Sequence, residues 1–527
     1  MPRRRIVDAS IALFLLSALI GTITAYNTRD AQLRFLMLGA AAVLYVGVSL
    51  LPPDRLWQAV KFTRMIVVGL AAVVILLRFW PGGAPDLRTL DLGRVFGRTG
   101  LGFDSGMLAG WIAALLPLVG AHQILVWRVR RQVRSFTLAA IGLGALALAL
   151  GDSTSALLAI LAILAIWAVV WSTGTTRPRS ARLAAVVVPL GLGAIGSEAW
   201  LSAIHDRLDL AGQAWNLFGD FALSGAGLGS FPGLYSMYVR NVPVYFYGSS
   251  QNLYLDVAID QGIVGVLALV VALVSSFILL LASRRGVWSR VQGGGALRWA
   301  ILSATLTVIA LGLIDDAVYT GVGGIFLFIM PGMAVALDRP LLGVSDSDAR
   351  LPLRPLAWIA GAVLVGGVGL AIVSWPGLPA RWHANLGALR MARIDLSNWP
   401  RPVWLDLAEH PALDGAEEAF RVALALDPEN RTAHHRLGLL GLRHLDFPAA
   451  LGHLEHAYEA DPDHRGVKKA LGFLYAWQGD FESAEQVLVN IPEAVHELGW
   501  YAQWWRQRGM PQYAEYTRQF IDRLSAR

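Results

Sequence analysis

Long apolar runs alternate with short polar stretches over most of the chain. Runs of about 20 apolar residues, the length with which a helix crosses the hydrocarbon core of a bilayer, recur between Ile6 and Trp375. They predict an all-α, polytopic membrane protein with about eleven spans, and counts of ten or twelve stay open. The predicted spans are centred near residues 16, 42, 72, 116, 143, 163, 190, 272, 306, 328 and 366.

The apolar runs end shortly before residue 379, and residues 379–527 are predicted to form a second, helical domain. Short sequences recur there at an offset of 34 residues: Asp427-Pro428 as Asp461-Pro462, Leu437-Gly438 as Leu471-Gly472, Asp446-Phe447 as Asp480-Phe481, and Ala450 as Ala484. This pattern resembles the tetratricopeptide repeat (TPR), a helix–turn–helix unit that stacks into an α-solenoid, here at about 415–490. Such a solenoid is either a spacer or a concave surface that docks a protein partner or acceptor, and the sequence leaves both open.

Composition agrees with a membrane-embedded protein and excludes some chemistry. Hydrophobic residues make up 55% of the chain and charged residues 16%, whereas soluble proteins carry about 25% charged residues. The chain has no cysteine, which excludes disulfides and thiolate metal sites. We therefore expect residues 1–378 to form a transmembrane domain in contact with the lipid bilayer.

The distribution of basic residues predicts how the chain threads the membrane. Arginine and lysine concentrate in alternate loops, beginning with Arg3–Arg5, while a large loop at about 199–251 holds only Arg207 and Arg240. Loops rich in arginine and lysine stay in the cytoplasm. An odd number of spans that begins inside ends outside. The large loop and the domain 379–527 are therefore both predicted to be extracytoplasmic, in a bacterial cytoplasmic (inner) membrane.

Two parts of the first domain carry motifs. The large loop contains Ser224-Gly225-Ala226-Gly227-Leu228-Gly229-Ser230-Phe231, and Ser250-Gln251-Asn252-Leu253-Tyr254-Leu255 and Asp260-Gln261-Gly262-Ile263-Val264-Gly265 come at its end. Upstream lies Gly102-Phe103-Asp104-Ser105-Gly106-Met107-Leu108-Ala109-Gly110. Together these segments resemble the O-antigen ligase and polymerase superfamily over roughly residues 94–270. The loop glycines are expected to let the backbone pack closely against a lipid-linked glycan or a neighbouring helix.

The resemblance implies an enzyme of the cell envelope. Members of the superfamily transfer a glycan from a polyprenyl diphosphate carrier to an acceptor at the outer face of the inner membrane. They use no metal, nucleotide or other cofactor. The expected partner is a polyprenyl diphosphate-linked glycan donor, and no nucleic acid is expected. The motifs do not encode the acceptor, whether lipid, glycan or protein.

Candidate site residues follow from what this transfer needs. Cationic donors must hold the departing diphosphate, and Arg207 and Arg240 are the two cations of the large loop. Arg207 is the catalytic candidate of the pair, and Arg240 is expected to help bind the substrate. Aromatic and amide side chains in and beside the loop are expected to bind sugars, although most of the tyrosines also fit an interfacial aromatic belt. These residues are Trp215, Asn252, Tyr254 and Tyr247.

Two positions depart from the superfamily pattern. Gln251 stands where the family usually has a histidine before the asparagine, and Thr154 where it commonly has an arginine. An amide cannot act as a base near neutral pH. Gln251 would then orient the acceptor, while His205, or instead Asp206 or Asp256, accepts the proton. Positioning and charge stabilisation without a base are a further alternative.

Several functions therefore stay open. The chain is either a divergent glycosyltransferase, a catalytically degenerate member that binds lipid-linked glycan, or a membrane scaffold for envelope glycan assembly that acts through its repeats. A solute transporter would predict internal repeats among the spans, and none is evident. Asp315-Asp316 lies at the outer end of a span, where it is either a helix boundary or a functional pair.

Overall fold

The computed structural model describes residues 2–79, 105–130, 134–151, 153–172, 197–241, 247–282, 294–338, 377–399 and 411–526. Every regular element in these ranges is helical. The predicted spans centred near residues 190 and 366 lie outside the described residues, as does the first part of the upstream motif, Gly102–Asp104.

The described part of the first domain consists of eleven helices and one 3₁₀ turn at Gly321–Gly324. The helices are α1 (Pro2–Thr24), α2 (Thr28–Ser49), α3 (Pro53–Arg78), α4 (Ser105–Arg130), α5 (Ser135–Leu150), α6 (Thr154–Ser172), α7 (Ser197–Phe221), α8 (Phe231–Tyr238), α9 (Leu253–Ala282), α10 (Gly294–Gly312) and α11 (Ile325–Leu337). Within the described ranges, six of them are long and apolar enough to cross a membrane, namely α1, α2, α3, α4, α9 and α10. Nine of the predicted span centres fall on these helices or on the shorter apolar helices α5, α6 and α11.

The apolar helices pack into one bundle with a continuous core. Helix α1 packs along α9, α2 along α11, and α4 along α3 and α10. Large apolar side chains also point away from the core, for example Val43 at 72% and Ile23 at 66% exposure. A helix that is hydrophobic all round suits an apolar surrounding rather than water. The polar turns at 25–27, 153–155, 249–252 and 313–320 lie at the same end of the bundle. The first approaches Gly227 and Gly233 of the large loop, and the other three are joined by hydrogen bonds.

The glycine-rich part of the large loop is a packing element between two helices of the bundle. Gly227 donates its backbone N–H to the carbonyl of Asp260 in α9, and Leu228 donates to that of Gly21 in α1. Gly227 has φ +109°, and a Cβ there would lie 2.2 Å from the Cα of Ala25. Only glycine fits such a close approach in this conformation. The sequence led us to expect that these glycines pack against either a lipid-linked glycan or a neighbouring helix. In the structure they pack against helices of the bundle.

The stretch predicted as a long loop contains two helices, α7 and α8. Helix α7 lacks a 20-residue apolar run, but it buries Leu210, Ala214, Leu217 and Phe221. These positions follow the i, i+4, i+7, i+11 spacing of an amphipathic helix. The predicted connection between spans therefore contains a regular helix at Ser197–Phe221, which the spacing of its apolar residues indicates and its mean hydropathy does not.

The second domain is a stack of helix pairs that begins at Leu378, close to the predicted boundary. Its helices are α12 (Leu378–Asp395), α13 (Asp414–Leu426), α14 (Arg431–Arg443), α15 (Phe447–Ala460), α16 (Arg465–Gln478), α17 (Phe481–Leu488), α18 (Ala494–Gln507) and α19 (Pro511–Ser525). The recurring Asp446 and Asp480 cap the N-termini of α15 and α17. A side chain at the recurring Gly438 or Gly472 would collide with the next helix of its pair. Capping and close helix packing therefore explain the 34-residue recurrence.

Candidate functional site

Arg207 meets two distant segments of the chain at the polar end of the bundle. It projects from α7 to the turn after α10, where its Nη1 lies 3.5 Å from Oδ2 of Asp315 and also donates to the carbonyl of Ile314. The same carboxylate oxygen accepts a hydrogen bond from Ser155, at the start of α6. The backbone N–H of Ala317 donates to the other oxygen at 2.9 Å. Asp315 therefore holds the guanidinium of Arg207 in place beside the 153–155 turn.

The turn that carries Gln251 and Asn252 is attached to the same segment. Nδ2 of Asn252 donates to the carbonyl of Leu313 at 2.8 Å, while its Oδ1 caps α9 by accepting from the backbone N–H of Tyr254 at 3.0 Å. Tyr254 in turn donates its hydroxyl to the carbonyl of Ile309 at 3.1 Å. Gln251 itself has φ +54°, in the left-handed region that non-glycine residues rarely adopt. Two motif residues are thus fixed against α10, and the third sits in a strained turn.

Asp316 adds a second carboxylate to this site. It accepts hydrogen bonds from Thr320 and from Ser249, next to the Gln251 turn. Burial raises the pKa of Asp316 above its usual value, and the neighbouring carboxylate of Asp315 raises it further. A carboxyl group with a raised pKa is better suited to exchange a proton near neutral pH than an ordinary one.

Four segments that are far apart in sequence therefore form one site of a cation, two carboxylates, hydroxyls and amides. We call it the polar-end site, and its members are Ser153, Ser155, Arg207, Ser249, Gln251, Asn252, Asp315 and Asp316. Thr154 lies within it, at the first residue of α6. The sequence singled out Asp315-Asp316 without assigning it a role, and its placement beside Arg207 is what the sequence could not supply.

Other predicted site residues do not join this cluster. His205 is exposed and lies two residues before Arg207 on α7, so it points to nearly the opposite side of that helix. Trp215 is 62% exposed and packs on Phe218, about 12 Å further along α7 than Arg207 at 1.5 Å per residue. The ring of Tyr247 contacts Tyr235, with centroids 5.3 Å apart. The position of His205 on the far side of α7 does not support its role as a base beside Arg207. Trp215 and Tyr247 likewise lie away from the Arg207 guanidinium.

Arg240 has partners in the second domain. Its guanidinium lies 3.3 Å from Oε1 of Glu493 and 3.0 Å from Oε1 of Glu497, and only 10% of its side chain is exposed. Two carboxylates already neutralise this cation. The expectation that Arg240 binds the diphosphate of the donor therefore does not fit its position, because the second domain brings the two glutamates to it.

A separate buried cluster joins α7 to the second domain. Asp220 accepts hydrogen bonds from Arg431 at 2.7 Å, Arg436 at 2.6 Å and the hydroxyl of Thr432 at 2.8 Å. His435 and His464 complete the surroundings, with ligand-type atoms within 4.8 Å of one another and of Asp220.

This donor set does not fit a metal ion. The carboxylate oxygens of Asp220 already accept from two guanidinium groups, and a divalent cation would be repelled by both of them. Burial, together with the charge of Arg431, lowers the pKa of His464 to about 3. The cluster is an electrostatic anchor between the two domains.

Comparison with known proteins agrees with the repeat. Residues 443–506 match the tetratricopeptide repeat family, which covers α15–α18 and confirms the repeat predicted from the 34-residue period. No curated protein shows significant similarity to the chain.

Proposed function

We propose that the chain is a glycosyltransferase of the bacterial cytoplasmic membrane. It transfers a glycan from a polyprenyl diphosphate carrier to an acceptor at the outer face, as the resemblance to the O-antigen ligase superfamily implies. The observation that carries the proposal is the polar-end site. Arg207 and the 153–155 turn contact Asp315, and the Gln251-Asn252 turn contacts Leu313 of the same segment. Three stretches that the resemblance marks as candidates therefore meet at residues 313–316.

Membrane insertion is supported by six helices of the described part that are long and apolar enough to span a bilayer. The predicted topology places the large loop and the second domain on one side. In line with it, Arg393 of α12 donates to the carbonyl of Ile23 near the C-terminal end of α1, and Asp220 of α7 holds α14. Segments in such contact share a side of the membrane.

In the proposed reaction the acceptor hydroxyl oxygen attacks the anomeric carbon of the donor sugar. The new C–O bond forms as the bond from that carbon to the diphosphate oxygen breaks, and the electron pair leaves with the diphosphate. Arg207 stabilises the negative charge that develops there, and Asp315 holds its guanidinium in position. The acceptor proton passes to the carboxylate of Asp316, while the amide of Gln251 orients the acceptor.

The contacts of the second domain argue against the scaffold alternative. A scaffold that works through its repeats needs a free concave surface, whereas this surface is covered by residues of the large loop, including Arg240. The transferase proposal needs no external partner for the repeats.

The test is replacement of Arg207 by Ala in a strain that depends on the chain for a surface glycan. Loss of one positioned cation should lower transfer by about 10²–10³-fold, and polyprenyl-linked donor should accumulate. Asp316→Asn should lower transfer as well, since it removes the proton acceptor. Arg421→Ala, at an exposed position of α13, is the matched control. Normal surface glycan in Arg207→Ala cells that hold normal amounts of the protein would refute the proposal.

A further inference from the structure

The first helices of the three consecutive pairs, α14, α16 and α18, face a short piece of the large loop. This piece, Tyr238–Asn241, is called the groove segment below. Tyr238 is the last residue of α8, and Val239–Asn241 follow it. Repeat solenoids use their concave surfaces to bind extended peptides. The groove segment occupies the corresponding surface of its own chain.

The groove binds the backbone of this segment at several points. Lys469 of α16 donates to the carbonyl of Arg240. Tyr501 of α18 donates its hydroxyl to the carbonyl of Asn241 at 2.8 Å, and Asn241 donates its side-chain amide to the carbonyl of Gly466 at 3.0 Å. A Cβ on Gly466 would lie 2.0 Å from the carbonyl oxygen of Tyr238. The absence of a side chain at residue 466 therefore lets the segment reach the helix surface.

The groove also matches the side chains of the segment. The guanidinium of Arg436 stacks on the ring of Tyr238 with its Cζ 3.4 Å from the centroid, and the hydroxyl of Tyr238 donates to Asp395 at 2.8 Å. Arg240 enters between Glu493 and Glu497. Because both partners are carboxylates, the part of the groove that Arg240 occupies is suited to a cationic side chain.

Arg240 adds a further cation to both glutamates of the groove. Glu497 is fully buried and pairs with Lys469 as well as with Arg240. Glu493 pairs with Arg465 at 2.5 Å and with Arg240. A neutral side chain in place of Arg240 would leave buried carboxylate charge less well compensated, which is costly in a site of low dielectric constant. The groove is thus chemically complementary to an arginine preceded by an aromatic residue two positions earlier.

We propose that the concave face of the repeats is a receptor for the chain's own groove segment, with Arg240 as the specificity determinant. The second domain then acts within its own chain: it fixes a point in the large loop eight residues before Ser249 of the polar-end site. A protein partner docks on this face only by displacing the groove segment. The proposal concerns the binding of the groove segment to the repeats and does not depend on glycan transfer.

Trypsin tests this binding directly, because it cleaves after Arg240 only when that residue leaves the groove. In the purified full-length protein, the Arg240–Asn241 bond should be resistant. Glu497→Gln should raise the rate of this cleavage by about 10-fold or more, the effect of losing a charged hydrogen bond. Tyr501→Phe, a milder change that keeps the ring in its aromatic core, should also raise it. Glu482→Gln, at an exposed position of α17, is the matched control and should match the wild type.

A labelled peptide with the sequence of residues 231–241 provides a second measurement. It should bind the full-length Arg240→Ala protein at least about 10-fold more tightly than the wild type, because the variant holds its own segment less well. The same peptide with Ala at position 240 should bind neither protein. Equal peptide binding to wild type and variant would overturn the proposal. So would equal cleavage after Arg240 in the wild type, Glu497→Gln and Tyr501→Phe proteins, given that circular dichroism shows the helices intact.

Discussion

Asp220 offers a sharp test of how the two domains are held together. Its carboxylate is buried in α7, and its two oxygens accept from Arg431, Thr432 and Arg436 of α14 at 2.6–2.8 Å. The change Asp220→Asn keeps the shape of the side chain but removes the charge. Arg436, whose side chain is fully buried, would then lack its carboxylate partner.

The expected loss in the free energy of unfolding is about 3–5 kcal/mol, the usual effect of removing one member of a buried ion pair. The matched control lies on the same helix. Asp209 pairs with Arg465 at 3.1 Å, but 53% of its side chain is exposed, so Asp209→Asn should cost about 0–1 kcal/mol. Replacing Arg436 by Met in the Asp220→Asn background should recover part of the loss, because it removes the uncompensated charge.

The pH dependence of this contribution follows from the pKa of Asp220. Burial by itself would raise that pKa, but Arg431 and Arg436 outweigh it and hold the pKa well below its usual range. A carboxylate with a depressed pKa in the folded state stabilises the fold above its unfolded pKa of about 4, and the contribution is lost only as pH falls through the folded value. The difference between wild type and Asp220→Asn should therefore be constant from about pH 8 to pH 5 and shrink only in stronger acid.

Urea unfolding of the purified protein in detergent, followed by tryptophan fluorescence, measures these differences. Trp477 and Trp505 lie in the core of the second domain and report its unfolding. If Asp220→Asn and Asp209→Asn shift the transition equally, the buried pair does not hold the domains together and the argument fails.

Two further predictions concern the loop glycines and the topology. Gly227→Ala should destabilise the protein by about 1–3 kcal/mol or more, since the new Cβ meets a backbone at a positive φ. Gly212→Ala, in α7 with open space around it, should be neutral or stabilising by up to about 1 kcal/mol. A thermal melt of the two variants that shows equal transition temperatures would contradict this. A reporter that is active only outside the cytoplasm, fused after Ala380, should be active, and cytoplasmic-type activity at that junction would refute the predicted topology.

The sequence determined the helical elements and the repeat. Helix formation by apolar runs depends on composition within about 20 residues, so nine span centres coincide with described helices. The repeat was equally local, because capping by Asp446 and Asp480 and close packing at Gly438 and Gly472 act between neighbouring elements. Helix α7 was missed even though its spacing of buried residues, Leu210 to Phe221, was present in the sequence.

Which charged groups meet depends on packing between distant segments of the chain. Arg207 and Arg240 look alike in the sequence, as the two cations of one loop. Folding brings Arg207 to Asp315, and it brings Arg240 to Glu497, which is 257 residues away along the chain. Local composition does not encode such pairs. Packing of α7 on the helix bundle sets the partner of Arg207, and packing of the second domain on the large loop sets the partner of Arg240. The physical reason is that hydropathy and helix period act over one or two turns, whereas electrostatic partners are chosen by packing across the whole fold.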